Sequence, residues 1–135
     1  MKSRTMQRIH LREAAIMLLL ARLAVRVLPP ARLFGWADRP PRKANRFAGD
    51  DVNWVAWAIE HCATQKGMDR ACLPRALAAH AMLRRRGIAS RLCLGVARSG
   101  DDIAAHAWIE VGDRTIVGGD DAGRFTQLAA FGGLR

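Results

Sequence analysis

Hydrophobic residues recur at helical spacing along the first part of the chain and predict a long helix over Ile9–Leu28. A Pro-Pro pair follows and ends it. Arg22 and Arg26 lie on one face, and a membrane span needs about 20 nearly uncharged residues, so we do not expect a span. We expect an amphipathic core helix, with a membrane-surface helix as the alternative, and its apolar positions include Ile16, Leu19, Leu20, Leu23 and Val27.

Two more helices are predicted downstream of a Pro-, Arg- and Gly-rich stretch, residues 30–50, which has the composition of an irregular linker. The second helix covers residues 52–64, with Asp50 or Asp51 as its cap. The third covers residues 71–86, because Pro74 is tolerated in a first turn and Gly87 suits a left-handed C-terminal cap.

The hydrophobic period changes after Gly87 and predicts strands. Residues 91–97, 103–111 and 114–117 are the strands, joined by a turn at 99–102 and a tight connection at Gly112-Asp113. The tail, residues 125–134, predicts a short helix or a strand. We therefore expect one α+β domain over residues 1–135, in which residues 1–50 form a helical N-terminal segment with a linker and residues 51–135 form the core.

Composition and charge narrow the function classes. Half of the 135 residues are apolar, as in globular proteins, and the formal net charge is +10. Such a charge suits an acidic partner, nucleic acid, a membrane surface or a solvated basic surface. No helix-turn-helix cue, zinc spacing or aromatic-rich strand pair accompanies it. We therefore expect neither nucleic-acid binding nor peripheral membrane contact, although a basic module for either partner is the alternative function.

The three cysteines, Cys62, Cys72 and Cys93, do not form a disulfide framework, because their number is odd and their spacing irregular. No C-x-x-C pair is present, so we expect no metal and no cofactor. One functional thiol and two core thiols in a reducing compartment, the cytoplasm, fit this pattern best.

The candidate chemistry is a thiol at a helix start and an imidazole on a strand. Cys72 lies in the first turn of the third helix, where unpaired N–H groups and the helix dipole favour a thiolate, and Arg70 and Arg75 are close in sequence. His106 lies on a strand that can pack against that helix. His80 is too far from Cys72, about 12 Å along the helix axis. The alternatives are a buried apolar cysteine and a structural histidine. His10 lies in the basic N-terminal tail and His61 on the second helix.

Four short blocks occur in order: Cys72–Leu77, Leu83–Ile88, Leu94–Val96 and Ala105–Glu110. In order and spacing they resemble the lasso peptide biosynthesis B2 family across about residues 50–120, and the first helix resembles that family more loosely. The resemblance implies a papain/transglutaminase-like fold, in which a Cys-bearing helix packs on a small antiparallel β-sheet and further helices precede it.

The resemblance also implies an activity. It predicts a cysteine peptidase that removes the leader from a ribosomally made lasso-peptide precursor through a thioester, with Cys72 as nucleophile, His106 as base and Trp108 as a packing residue. The implied partners are the precursor peptide, a separate leader-binding protein of the B1 type and a macrolactam synthetase. Transglutaminase-type acyl transfer is a second alternative.

The third catalytic residue is the point at which this chain departs from the family. The family places an aspartate about a dozen residues after the histidine, where this chain has Gly118. A bulge in the hairpin would favour Asp120, whereas an unbulged hairpin would favour Asp121. We predict Asp120, and without an acid the enzyme would work as a dyad. We expect the Cys72 N–H as one oxyanion donor and a second within residues 66–71.

Overall fold

The computed structural model describes residues 4–41, 49–65, 72–119 and 125–132. Over these residues the chain forms four helices and then four strands. They are α1 (Arg4–Val27), α2 (Pro30–Asp38), α3 (Gly49–Gln65), α4 (Cys72–Arg85), β1 (Arg91–Ser99), β2 (Asp102–Val111), β3 (Arg114–Val117) and β4 (Thr126–Gly132). The predicted α+β class, with helices preceding a small antiparallel sheet, is confirmed.

The sheet is antiparallel throughout, in the order β3-β2-β1-β4. β1 and β2 pair along their whole length, from Arg91 opposite Glu110 to Ser99 opposite Asp102. The tail that predicted a helix or a strand is strand β4, which pairs with the free side of β1. It is a strand because β1 offers an unpaired ladder of N–H and C=O groups that a helix could not complete.

The hairpin of β2 and β3 contains a register shift. Gly112 turns the chain at φ +62°, a left-handed conformation that favours glycine. Glu110 lies opposite Thr115, but the preceding residue of β2, Ile109, lies opposite Val117, so one residue of β3 bulges out. A bulge in this hairpin is the condition on which the prediction of Asp120, rather than Asp121, as the third catalytic residue depends.

One hydrophobic core joins the helices to one face of the sheet. All four helices contribute to it, as do β1, β2 and β3, and its largest fully buried members are Leu18, Val55, Ile59, Met82, Leu83, Leu92, Ile109 and Val117. The division of the chain into a segment before residue 50 and a core after it stays a prediction.

The prediction for the buried face of α1 was wrong. Its large apolar side chains Leu19, Leu23 and Val27 are 57–69% exposed, whereas Ala14 and Leu18 are fully buried. Ala14 and Ala21 face the core beside Leu18 because α1 packs on both α3 and α4, and alanines let helices approach closely. Within the described residues no helix is long and apolar enough to cross a membrane.

His10 also lies differently from its prediction. It is part of α1 rather than of a tail, is 4% exposed, and its ring stacks on Trp54 of α3 at 4.7 Å between centroids. Helix α1 begins at Arg4, ahead of the predicted Ile9, so that this ring reaches the interface with α3.

The irregular linker predicted for residues 30–50 was wrong for its first part, which is helix α2. Pro30 occupies a first-turn position, where its missing N–H costs no hydrogen bond and its fixed φ suits a helix. Phe34 stacks on Phe131 of β4 with centroids 4.8 Å apart, so α2 is held by the sheet.

The third predicted helix is confirmed in position and in its cap. Helix α4 spans Cys72–Arg85, and Gly87 follows at φ +75°. The N–H of Ile88 donates to Leu83 O at 2.9 Å and that of Gly87 to Arg84 O at 3.0 Å, the hydrogen bonds of a Schellman cap. Helix α3 begins earlier than predicted, at Gly49, so Asp50 and Asp51 lie in its first turn, where carboxylates also suit the helix dipole.

Candidate active site

Cys72 is the first residue of α4 and is half-buried against the core. Cys62 and Cys93 are buried, so the expectation of two core thiols is confirmed, whereas the functional role of Cys72 stays a prediction. Burial raises the pKa of Cys93 to about 11, and the negative charge of Glu110 acts in the same direction. A thiol in that state is a poor nucleophile, which leaves Cys72 as the candidate.

The arginine that follows Cys72 on α4 is engaged elsewhere. Arg75 donates from its guanidinium to both carboxylate oxygens of Glu60 on α3. The pair ties the start of α4 to α3 and offsets the positive charge that was expected beside Cys72. Arg70 and the rest of residues 66–71, where a second oxyanion donor was sought, lie outside the described residues.

His106 lies in the middle of β2, half-buried, with its ring near two aromatic rings. Its Nε2 is 2.8 Å from the backbone oxygen of Gly118. A carbonyl oxygen only accepts, so Nε2 carries a hydrogen, and when the ring is neutral the lone pair is on Nδ1. The rings of Trp108 and Phe125 lie near-parallel to it, at 5.8 Å and 4.9 Å between centroids.

Gly118 contacts His106 closely and was not predicted to belong to the site. Its φ is +77°, and a Cβ there would lie 3.0 Å from Ala107 O and 3.3 Å from His106 Nε2. Both the positive φ and the close contacts favour glycine at this position. In the sequence, the only sign of this contact is a glycine that interrupts the strand pattern twelve residues after His106. The acceptor itself is a main-chain oxygen, which every type of residue has, so the sequence does not identify it.

Trp108 is 4% exposed, and its indole N–H donates to Glu110 Oε2 at 3.0 Å. Its ring lies so close to β1 that a Cβ on Gly95 would be 2.9 Å from it. This burial agrees with the packing role that the sequence indicated.

The structure brings the Cys-bearing helix and the His-bearing strand together. Helix α4 packs against β2, and Ala107 and Ile109 of β2 belong to the shared core. Side chains alternate along a strand, so His106 and Trp108 project from the other face. Within the described part of the chain no hydrogen bond joins Cys72 to His106.

The acids predicted to complete the site, Asp120 and Asp121, lie outside the described residues. Asp113, in the hairpin turn, is exposed. In the ranges that the structure describes, no group of three or more His, Cys, Asp or Glu side chains is arranged to hold a metal ion.

The other histidines have structural surroundings. His80 is 3% exposed, its Nε2 donates to Ala37 O at 2.8 Å, and the Ser90 hydroxyl donates to its Nδ1 at 2.6 Å. Burial lowers the pKa of His80 to about 4. His61 stacks on Trp57 of the same helix, with centroids 5.2 Å apart.

Comparison with known proteins identifies the family of the chain. The sequence profile of the Transglutaminase-like superfamily matches residues 15–130, from α1 to β4. The chain therefore belongs to the transglutaminase-like superfamily, which includes cysteine peptidases and acyl transferases. No curated protein and no solved structure matched the chain.

Proposed function

We propose that the chain is a cysteine peptidase that removes the leader from a ribosomally made lasso-peptide precursor. The observation that carries the proposal is the position of Cys72, the one half-buried thiol of three, at the first residue of α4 in a transglutaminase-like chain. The order of the four sequence blocks supports the finer assignment to leader removal.

In the proposed reaction, His106 Nδ1 takes the proton of the Cys72 thiol, and the Sγ thiolate attacks the carbonyl carbon of the peptide bond between leader and core. The unpaired N–H groups at the start of α4 stabilise the oxyanion. The C–N bond then breaks, and His106 delivers a proton from Nδ1 to the departing amine. Water attacks the thioester and gives a proton to His106, the C–S bond breaks to release the leader acid, and His106 returns the proton to Cys72 Sγ.

The reaction requires Nδ1 of His106 and Sγ of Cys72 to meet in the substrate complex. His106 projects from the face of β2 opposite to the core that α4 shares, so the proposal includes a rearrangement of β2 or of the start of α4 when the precursor binds. Asp120 stays the predicted acid of the proposed site.

Cleavage of the precursor by wild type, Cys72→Ala and Cys93→Ala tests the proposal. We expect free leader and core peptide with wild type and Cys93→Ala, and a loss of about 10³-fold or more with Cys72→Ala. Mass spectrometry of the products measures this. Cleavage retained by Cys72→Ala contradicts the peptidase, and a leader joined to an added amine instead indicates acyl transfer.

The basic nucleic-acid or membrane-surface module remains the competing function, because the net charge is +10. Salt-sensitive association with nucleic acid or anionic vesicles, unchanged in Cys72→Ala, would favour it over the peptidase. Loss of activity with the thiol would argue against it.

We further propose that the exposed apolar face of α1, formed by Ile16, Leu19, Leu20, Leu23 and Val27, docks the separate leader-binding protein in the cytoplasm. Arg22 and Arg26 are exposed beside this face and suit an acidic partner or leader. The macrolactam synthetase would then act on the freed core peptide.

Leu19→Glu is expected to abolish co-elution with the leader-binding protein, and Arg4→Glu, at the far end of α1, is the control. Full cleavage without association of the wild-type proteins would contradict docking.

A further inference from the structure

We propose that the backbone carbonyl of Gly118 is the group that orients His106, in the role that an acid side chain usually has. Its catalytic consequence rests on the proposed function, but the orientation itself does not. Nε2 of His106 is 2.8 Å from Gly118 O, within ordinary hydrogen-bond distance. Gly118 is thus a positioning residue, because it acts on the substrate only through His106.

The hydrogen on Nε2 determines the tautomer of the His106 ring. A neutral imidazole has one N–H, and in this structure that hydrogen points at a carbonyl that can only accept. Among the described residues, the tautomer is therefore set by a main-chain oxygen. A carboxylate elsewhere would act on the ring by its charge, not as the acceptor of this N–H.

The backbone conformation of Gly118 places its carbonyl oxygen beside the His106 ring. At φ +77° Gly118 presents its carbonyl to the ring, and its missing side chain leaves the room that the ring occupies. Any Cβ would lie 3.3 Å from Nε2 and 3.2 Å from Trp108 Cβ. An aspartate at position 118 would therefore need a strained φ and a shift of the neighbouring atoms, and the main chain of Gly118 provides the acceptor instead.

Two aromatic rings pack against the imidazole of His106. Trp108 and Phe125 lie near-parallel to the imidazole, at interplanar angles of 23° and 27°. Rings in this arrangement limit tilting of the imidazole, and the single hydrogen bond then fixes its rotation about χ2. Nδ1 is left without a partner among the described residues, as a base requires.

Nitrogen-15 NMR of the full chain labelled at histidine tests the orientation without any substrate. We expect the His106 ring, assigned by the signals missing from His106→Gln, to be the Nε2–H tautomer in wild type. The same tautomer is expected in Asp120→Asn and Asp121→Asn. A mixed or Nδ1–H ring in wild type, or a ring that changes tautomer in either Asn variant, would overturn the proposal.

A matched pair of glycine variants tests the close approach. Gly112 has φ +62° and nothing within 4 Å of a built Cβ, so Gly112→Ala introduces left-handed strain alone. Gly118→Ala adds a methyl group against the ring. We expect a mixed tautomer and a kcat lower by about 10²-fold, with little change in KM, in Gly118→Ala alone. Equal ring signals and equal kcat in the two variants would overturn the proposal.

The two proposals fail in different ways. If Cys72→Ala still cleaves the precursor, the proposed peptidase function is wrong. The His106 tautomer measured by NMR still decides whether Gly118 orients the ring. If Gly118→Ala does not fold, the two Asn variants decide the role of Gly118. A kcat loss of about 10²-fold or more in Asp120→Asn, with the tautomer changed, would return the role to the acid.

Discussion

His80 and His106 have the same kind of partner at Nε2, a backbone oxygen, but they differ at Nδ1. In each ring Nε2 is 2.8 Å from a backbone oxygen, Ala37 O for His80 and Gly118 O for His106. The Nδ1 of His80 accepts the hydroxyl hydrogen of Ser90 at 2.6 Å, whereas the Nδ1 of His106 has no partner within the described residues. One histidine is satisfied at both nitrogens, and the other keeps a lone pair for chemistry.

Burial follows the same division. His80 is 3% exposed between α2 and α4, with Trp36 edge-on at 5.5 Å, whereas His106 is half-buried at the bulged hairpin. A backbone acceptor therefore does not by itself distinguish the structural histidine, His80, from the proposed catalytic one, His106. The second nitrogen and access to solvent distinguish them.

The largest expected effect contrasts the two histidines directly. His106→Gln should lower precursor cleavage by about 10³-fold or more and leave folding intact, because the base is lost from a half-buried site. His80→Gln should destabilise the protein, yet the folded fraction should cleave at the wild-type rate. Cleavage rates and urea unfolding of both variants measure this. A cleavage loss in folded His80→Gln as large as in His106→Gln would break the comparison.

Alkylation extends the comparison from imidazoles to thiols. At pH 8, iodoacetamide should modify Cys72 at least about 10²-fold faster than Cys93, whose pKa is raised to about 11 by burial. Peptide mass spectrometry gives the rate at each cysteine. In urea the two rates should converge, and a fast reaction at Cys93 in the native protein would contradict the assignment.

The pH dependence of stability should come from the buried ring. Burial lowers the pKa of His80 from 6.5 to about 4, so His80 is neutral in the folded protein and takes up a proton more readily when unfolded. Its contribution is fully present above pH 6.5, is lost as the pH falls toward 4, and amounts to about 3 kcal/mol at 1.36 kcal/mol per pKa unit. Urea unfolding between pH 7.5 and 4 measures the loss, which should be much smaller in His80→Gln.

The smallest expected effect removes the hydrogen bond that separates the two rings. Ser90→Ala should lower the free energy of unfolding by about 1 kcal/mol, because the buried Nδ1 of His80 loses its donor. Precursor cleavage should not change. Chemical denaturation measures the first effect, and a stability equal to wild type would show that the Ser90 hydroxyl is not needed to satisfy His80.

Local sequence was enough for the elements whose ends carry their own signals. Pro74 and Gly87 bound helix α4, and Gly112-Asp113 marked the β2–β3 hairpin, because these residues restrict φ or permit a left-handed turn wherever they occur. The position of Cys72 at a helix start and the two core thiols followed from the same local reasoning.

Other features depended on contacts between distant parts of the chain. Two faces of α1 are apolar enough to pack, and only the position of α3 and α4 decided that Ala14 and Leu18 are buried. Helix α2 and strand β4 likewise depend on each other through Phe34 and Phe131. The acceptor for His106 Nε2 is a main-chain oxygen. Every residue has that oxygen, so tertiary structure alone determined which one meets the ring.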